Sequence, residues 1–406
     1  MSKSLFRLLA TASALSVALA FSALQAQAAG TTAAGPSDLA HSNVRTGSAA
    51  SILPLTTTDV MPVGGFGGRA PAITGAAGSS SDGSIDSQAF GSSTLKWPYS
   101  TARVAVNGLG PSTSSLLVPV SSSPYRQAGK LFMRFGQSWF VCSASLIKKG
   151  VLITAAHCVH RFGQGGPGFA NQVVWVPANT TNTGFLPPTS GAGPYGVFNG
   201  ATWRIPTPYF NGTDTCQSGA SGIVCNNDLA TVTLLPNSDS IYPGTFLGWY
   251  GYGWNGYSYV TSPAFGNAFV VDMSQLGYPV AFDGGFQMQR NNSFGKYIQG
   301  VGSNSKILRN TQLGSALTGG SSGGPWLANF GTRPFVSASA SLGSASSSSI
   351  VDGVTSWGYT TVGVNVQGAS FFGQNAEYPL AAYGIYGAGN IGKLVNDTCV
   401  ATPAAC

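Results

Sequence analysis

Charge is what this sequence most lacks. Of 406 residues only 19 are Lys or Arg and 12 are Asp or Glu, so charged residues make up 8% of the chain, against about 25% in an ordinary soluble domain. That supply excludes a coiled coil, a charged helical solenoid and a polyelectrolyte tail. Histidine is nearly missing too: His41, His157 and His160 are the whole set, and Glu377 is the single glutamate. Chemistry that needs imidazole or a glutamate carboxylate therefore has very few places to sit. The six cysteines contain no Cys-x-x-Cys pair and the later ones have no neighbouring histidine, which argues against a zinc site. Eight acids after residue 125 do not make a dense calcium cage. No metal or cofactor is expected.

What the chain does have is glycine, proline and aromatic rings: 56 Gly, 23 Pro, 8 Trp, 15 Tyr and 22 Phe, with a hydrophobic fraction of 43%. This is enough apolar surface for a sizeable core, and the length suggests about two or three folding units. After Lys130 the chain is a succession of short strand-like runs, among them Leu131–Phe135, Val151–Thr154, Val173–Val176, Leu229–Leu235 and Ala268–Val271. Gly, Pro and Asn clusters punctuate them, and helical periodicity is scarce. That pattern predicts an all-β sandwich or barrel. No internal repeat is visible. The net charge of +7 has no cluster behind it, since Lys148-Lys149 is the densest basic spot. Nucleic-acid binders gather their charge on a stripe or helix, so the +7 reads as missing acids and no nucleic-acid partner is expected.

The first residues indicate a compartment. Lys3 and Arg7 precede an apolar or small run from Leu8 to Leu24 that ends in Ala26-Gln27-Ala28. A basic start, an apolar core and an A-x-A site predict a secretory signal peptide over 1–28, cleaved after Ala28. The Ala- and Ser-rich run is short for a membrane span of about 20 residues, and nothing later in the chain is long and apolar enough. The mature protein is expected outside the cytoplasm, extracellular or periplasmic, with no membrane attachment and as a monomer. Export permits disulfides. Cys142, Cys158, Cys216, Cys225, Cys399 and Cys406 form three close pairs, and nearest-neighbour pairing would close short loops. The sequence leaves the connectivity open. From residue 29 to 124 the chain is rich in Ser, Gly, Ala, Thr and Pro and has no cysteine; it reads as a propeptide, a spacer or a disordered leader. The working domain is expected over 125–406.

Three short stretches carry chemistry. The first is Cys142-Ser143-Ala144-Ser145-Leu146-Ile147 followed by Val151-Leu152-Ile153-Thr154-Ala155-Ala156-His157-Cys158-Val159; the second is Asn227-Asp228-Leu229-Ala230; the third is Thr318-Gly319-Gly320-Ser321-Ser322-Gly323-Gly324-Pro325-Trp326. A serine hydroxyl becomes a useful nucleophile only when a base takes its proton. Imidazole, with an ordinary pKa of about 6.5, can accept and return that proton near neutrality. A carboxylate on the far ring nitrogen fixes the tautomer and stabilises the imidazolium. Chain order separates the folds that use this chemistry. Gly320-x-Ser322-x-Gly324 also fits the α/β-hydrolase elbow, but that fold needs a histidine after the serine, and none follows Ser322. Subtilisin order needs the acid before the histidine, and every aspartate before His157 lies in the leader. The order His157, Asp228, Ser322 remains.

In these three motifs the chain resembles the chymotrypsin-like serine endopeptidases, with T-A-A-H-C at the base, D-L-A at the acid and a Gly-rich S-G-G-P at the nucleophile. The detail, including Gly129-Lys130-Leu131 before the first strand, is similar to secreted bacterial relatives of glutamyl endopeptidase. The resemblance implies two six-stranded antiparallel β-barrels with the active site between them, and a Cys142–Cys158 disulfide. It implies His157 as general base, Asp228 as its orienting acid, Ser322 as nucleophile, and the backbone N–H groups of Gly320 and Ser322 as oxyanion donors. It also implies protein or peptide substrates. Ala316 and the strand Val354-Thr355-Ser356-Trp357-Gly358-Tyr359 are the expected substrate contacts, the pocket lining among them being Ala316, Thr355, Ser356, Trp357 and Gly358. Ala316 and Thr355 stand where charge-reading relatives carry Asp and His, so an uncharged pocket for apolar or small side chains is expected. Ser321 replaces the aspartate that trypsin-type members use to receive a new N-terminus. Activation by that switch is therefore not expected, and the leader is read instead as an inhibitory or folding-assisting propeptide. Asp214 and Asp239 are rivals to Asp228, and His160 is expected at the surface. Two other readings keep the sequence without the chemistry: a catalytically silent binding protein on the same fold, or a non-enzymatic Gly/Ser-rich surface β-protein.

Overall fold

The alternating apolar runs fold as strands, and the strands close on themselves twice. The computed structural model describes residues 29–35, 65–67, 78–79, 88–89, 97–106, 118–188, 193–215, 226–301, 305–332, 334, 344–345, 347–358, 365–379 and 387–406. The first barrel uses β1 (Ala128–Phe135), β2 (Ser138–Lys148), β3 (Val151–Thr154), β4 (Gln172–Pro177), β5 (Phe198–Pro206) and β6 (Ala230–Leu234). Its cyclic order is β1-β2-β3-β6-β5-β4, closed by β4 pairing back to β1 and by Phe198 opposite Trp175 between β5 and β4. The second uses β7 (Ala268–Gly277), β8 (Gln289–Val301), β9 (Ile307–Gly314), β10 (Pro325–Ala328), β11 (Ile350–Gly358) and β12 (Val366–Ser370). Its order is β7-β8-β9-β12-β11-β10, and Gln275 opposite Trp326 closes it. Every pairing around both barrels is antiparallel. The two orders are the same permutation, so the fold repeats although the sequence does not.

Closure removes open sheet edges and leaves interiors that side chains must fill. Leu131 and Met133 point into the first barrel, with Trp175, Trp203 and Val232 around them, all fully or almost fully buried. Burying each such side chain is worth about 1.5–3 kcal/mol. Leu276, Tyr278, Val351 and Val354 extend that core across the contact between the barrels. The second barrel has its own filling of Phe269, Val271, Met273, Tyr297, Leu313, Trp326, Ala369 and Phe371.

β6 is buried along its whole length, on both faces, because a helix at Gly389–Ala401 covers the side that Ala230, Val232 and Leu234 do not use. Thr231 meets Thr398 of that helix through their hydroxyls at 2.7 Å. The sequence reading did not anticipate this helix, whose glycine start and polar residues hide its period. A disulfide between Cys399 and Cys406 pins its end.

Parts of residues 29–124, expected to be a leader, belong to the folded body. Thr31–Ala34 adds an antiparallel strand to β5, with Thr31 opposite Pro206 and Ala34 opposite Trp203. Tyr99–Arg103 adds one to β8 over Gln289–Ser293, the stretch of β8 that β9 does not reach. Trp97 stacks on Phe294 with ring centroids 5.3 Å apart. Among the described residues no helix is long and apolar enough to cross a membrane. The expected signal peptide and the Cys216 and Cys225 pair lie outside the described residues.

Candidate active site

His157 sits in a single 3-10 turn, Ala156–Cys158, that follows β3 directly. The neighbouring Cys158 is disulfide-bonded to Cys142 of β2, so the turn is tied to the barrel wall. Both sulfurs lie within 4.8 Å of a His157 ring nitrogen, but they are bonded to each other and offer no thiolate to a metal. Asp228 comes one residue before the buried Leu229 that leads into β6. Its Oδ2 lies 2.8 Å from His157 Nδ1, and its Oδ1 accepts the His157 backbone N–H at 2.9 Å. Ser356 of β11 donates its hydroxyl to Asp228 Oδ2 at 2.5 Å, and the Asp228 N–H donates to Ser370 Oγ of β12 at 3.1 Å. The first barrel thus supplies the histidine–aspartate pair and the second barrel clamps the aspartate. His157 and Asp228 are 1% and 0% exposed, a setting in which charge-assisted bonds are strong and an unpaired charge is costly.

The serine loop is positioned by backbone. The Ser322 carbonyl accepts the Ser143 N–H at 2.7 Å, and Gly323 N–H donates to the Thr355 carbonyl at 2.7 Å. Gly323 has φ +75°, and a Cβ there would lie 2.0 Å from Thr154 Oγ1 and 2.9 Å from the Ala155 nitrogen. Only glycine lets the loop lie against the turn that carries His157. Gly320 has φ +93°, and a Cβ there would meet the Tyr278 carbonyl at 2.5 Å. The Gly319 carbonyl accepts the Val280 N–H at 2.7 Å, and the Ser321 carbonyl accepts the Gly324 N–H at 2.9 Å. In a trans peptide the N–H points opposite to the C=O. Anchoring those two carbonyls therefore turns the next N–H groups, those of Gly320 and Ser322, away from their anchors.

Ser143 ties the arrangement together, and the sequence reading missed its role. Its hydroxyl donates to the Gly320 carbonyl at 2.9 Å and accepts the Tyr278 N–H at 3.0 Å, while its own carbonyl accepts Thr154 Oγ1 at 2.9 Å. The only available signal was its place beside Cys142. Ser321 is satisfied locally, donating Oγ to the Thr318 carbonyl at 2.6 Å.

The expected pocket residues face different ways. Ala316 is half-buried in the stretch leading to the serine loop. Ser356 is engaged with Asp228. Thr355 turns into the second barrel, where its hydroxyl accepts Trp326 Nε1 at 2.9 Å and Gln275 Nε2 at 2.8 Å. Trp357 lies over Gly368 and donates Nε1 to Asn310 at 2.5 Å. Gly358 pairs with Gln367.

The rival residues are also placed. His160 is a correction: expected at the surface, it is 0% exposed. It is packed edge-on to Phe169 with centroids 4.5 Å apart, and its Nε2 donates to the Gly165 carbonyl at 2.7 Å. Desolvation lowers its pKa to about 4, so it stays neutral. Asp239 is exposed in a turn. Asp214 is buried and accepts the backbone N–H groups of Asn226 and Asn227, the latter at 2.6 Å. Burial, and then the charge of Glu377, push it up to about 7 against those donors and Lys306. It buttresses the approach to Asp228.

Two closed six-stranded antiparallel barrels with one shared strand order constitute the chymotrypsin-like fold. Solved structures similar to this chain include the protease Anisep from Arthrobacter nicotinovorans, at 21% identity and TM-score 0.43, covering 66% of this chain and 98% of that one. The thermostable serine protease AL20 from an extremophilic microorganism is similar at 21% identity and TM-score 0.39, over 61% of this chain and 91% of that one. A Glu endopeptidase follows at 15% identity and TM-score 0.37, over 63% and 88%. No family model and no curated protein sequence matches this chain.

Proposed function

We propose that this chain is a secreted serine endopeptidase, with Ser322 as nucleophile, His157 as general base and then acid, and Asp228 as its orienting carboxylate. The observation that carries this reading is the double hold of Asp228 on His157, one bond to the ring and one to the backbone. With Nδ1 donating to Asp228, Nε2 is the nitrogen that can accept a proton. Ser322 Oγ attacks the substrate carbonyl and its proton passes to His157 Nε2. The carbonyl oxygen, now anionic, is met by the N–H groups of Gly320 and Ser322. The C–N bond then breaks, His157 protonates the departing amine, and an acyl-Ser322 ester remains. Water, deprotonated by His157, attacks that ester; the C–O bond to Ser322 breaks, His157 returns the proton to Oγ, and the acid and the serine are freed.

Residues 1–28 are read as the export signal and 125–406 as the peptidase unit, acting as a monomer on protein or peptide substrates. The pairing of 31–34 and 99–103 with the two barrels supports a folding role for the leader. The local bond of Ser321 supports activation without N-terminal insertion. Substrate backbone is proposed to lie along Thr355–Gly358, where residues 88–89 pair with Trp357 and Gly358 in this structure, with Ala316 beside the side chain on the acyl side of the scissile bond.

A fluorophosphonate probe tests the reading. The wild type should label on Ser322 and hydrolyse casein, and Ser322→Ala should do neither while keeping its circular dichroism. A wild type that takes no label even after removal of the leader would point to a silent binding protein or a surface β-protein.

A further inference from the structure

The end of the second barrel nearest Ser322 is filled by amides and hydroxyls instead of hydrocarbon. Four inward-facing residues meet there: Gln275 near the end of β7, Ser315 just after β9, Thr355 in β11 and Gln367 at the start of β12. All are between 0% and 8% exposed. Gln275 Nε2 donates to Thr355 Oγ1 at 2.8 Å and to Gln367 Oε1 at 2.5 Å, and its Oε1 accepts Ser315 Oγ at 2.7 Å. Gln367 Nε2 donates to the Leu317 carbonyl at 2.6 Å. The cluster therefore binds the loop that leads into Ser322 to the opposite wall of the barrel. Further along the interior the filling is apolar, with Met273, Leu313, Ala369 and Phe371.

An acyl group on Ser322 whose oxygen points to Gly320 and Ser322 N–H must place its side chain between two walls. One is the stretch from Ser315 to Ser321; the other is β11, which runs beside the serine loop through the Gly323–Thr355 and Thr355–Gly324 backbone bonds at 2.7 and 3.0 Å. The amide cluster joins those two walls, through Thr355 on one and Ser315 and the Leu317 carbonyl on the other. We infer that Gln367, held by Gln275 and bonded to Leu317, is the floor of the specificity recess and restricts the residue on the acyl side of the scissile bond to a short, uncharged side chain. This rests on Ser322 being the nucleophile.

The physical reasons are size and charge. A long side chain would have to break the Gln367–Leu317 bond and leave a buried carbonyl unpaired, which is costly. A charged one would enter a recess whose closing residues carry no charge, and an unpaired ion is expensive to bury. The cluster itself has partners for both carbonyl oxygens and both amide nitrogens of its glutamines, so it has little reason to rearrange.

The test uses the full chain, fluorophosphonate labelling and a set of Ala-Ala-Pro-X anilides differing only at X. The labelled wild type should cleave X = Ala or Ser at least about tenfold better in kcat/KM than X = Phe, Arg or Glu. Gln367→Gly should raise Leu and Phe about tenfold relative to Ala, and Gln367→Asn should do so less. A labelled wild type that prefers Phe, Arg or Glu overturns the inference and leaves the serine chemistry standing. Absence of labelling even after removal of the leader removes both. A labelled Gln367→Gly with an unchanged profile removes Gln367 as the floor, and if neither variant takes label the wild-type profile decides.

Discussion

Asp228 holds His157 at two points, the ring Nδ1 at 2.8 Å and the backbone N–H at 2.9 Å. The backbone bond fixes the turn, and the ring bond fixes the tautomer within it. Asp228→Asn keeps the shape but has one acceptor oxygen, so it cannot accept both the His157 backbone N–H at the Oδ1 position and the Nδ1–H and Ser356 hydroxyl at the Oδ2 position. Its kcat should fall about 10⁴-fold with an unchanged circular dichroism spectrum. Ser356→Ala removes only one bond to the carboxylate and should cost on the order of tenfold. Anilide hydrolysis measures both, and an Asp228→Asn variant of near wild-type activity would dismiss the assignment.

Residues 29–124 offer a second test. Tyr99–Arg103 covers the part of β8 that β9 leaves open, with Ser293 Oγ donating to the Pro98 carbonyl at 2.7 Å and Arg103 paired with Asp283. A chain beginning at residue 107 loses those contacts and exposes an unpaired strand edge. Its stability should drop on the order of 3 kcal/mol, about 10 °C in Tm, with a lower soluble yield than residues 29–406. Equal Tm and yield would reduce the segment to a spacer.

Lys130 supplies the pH dependence. It is 1% exposed, donates Nζ to the Gly184 carbonyl at 3.0 Å, and lies 5.1 Å from the Phe132 ring centre. Desolvation lowers its pKa from 10.5 to about 8. Between those values the unfolded chain holds more protons than the folded one, so the lysine's contribution to stability rises with pH through that window and is flat below it. Lys130→Met removes the buried ammonium and should raise Tm at pH 7. The gap between variant and wild type should narrow from pH 8 to pH 10 in thermal melts. A constant gap would refute the account.

Much of the fold was readable in the chain because strand faces and catalytic motifs are local. The five expected strand runs fall in β1, β3, β4, β6 and β7, apart from Leu229 and Leu235 at the edges of β6. His157, Asp228 and Ser322 stood out because each lies in a short recognisable context. His160 was misjudged for the opposite reason: Phe169, Tyr209 and Phe210, which bury it, come from other segments. The closing helix escaped notice because its buried Gly389, Asn390 and Gly392 do not look like a core.

Scarcity of ionisable groups was the sequence's own contribution. With one histidine in the right context and none after Ser322, chain order left one order of base, acid and nucleophile, with Asp214 and Asp239 still rivals to Asp228. Tertiary structure decided what surrounds them. Ser143, Ser356 and the Gln275–Gln367 cluster sit in strands far apart in the chain and carry no local pattern. A hydrogen bond between side chains on different strands depends on barrel closure and register, and closure is a property of the whole sheet, which no single stretch of sequence contains.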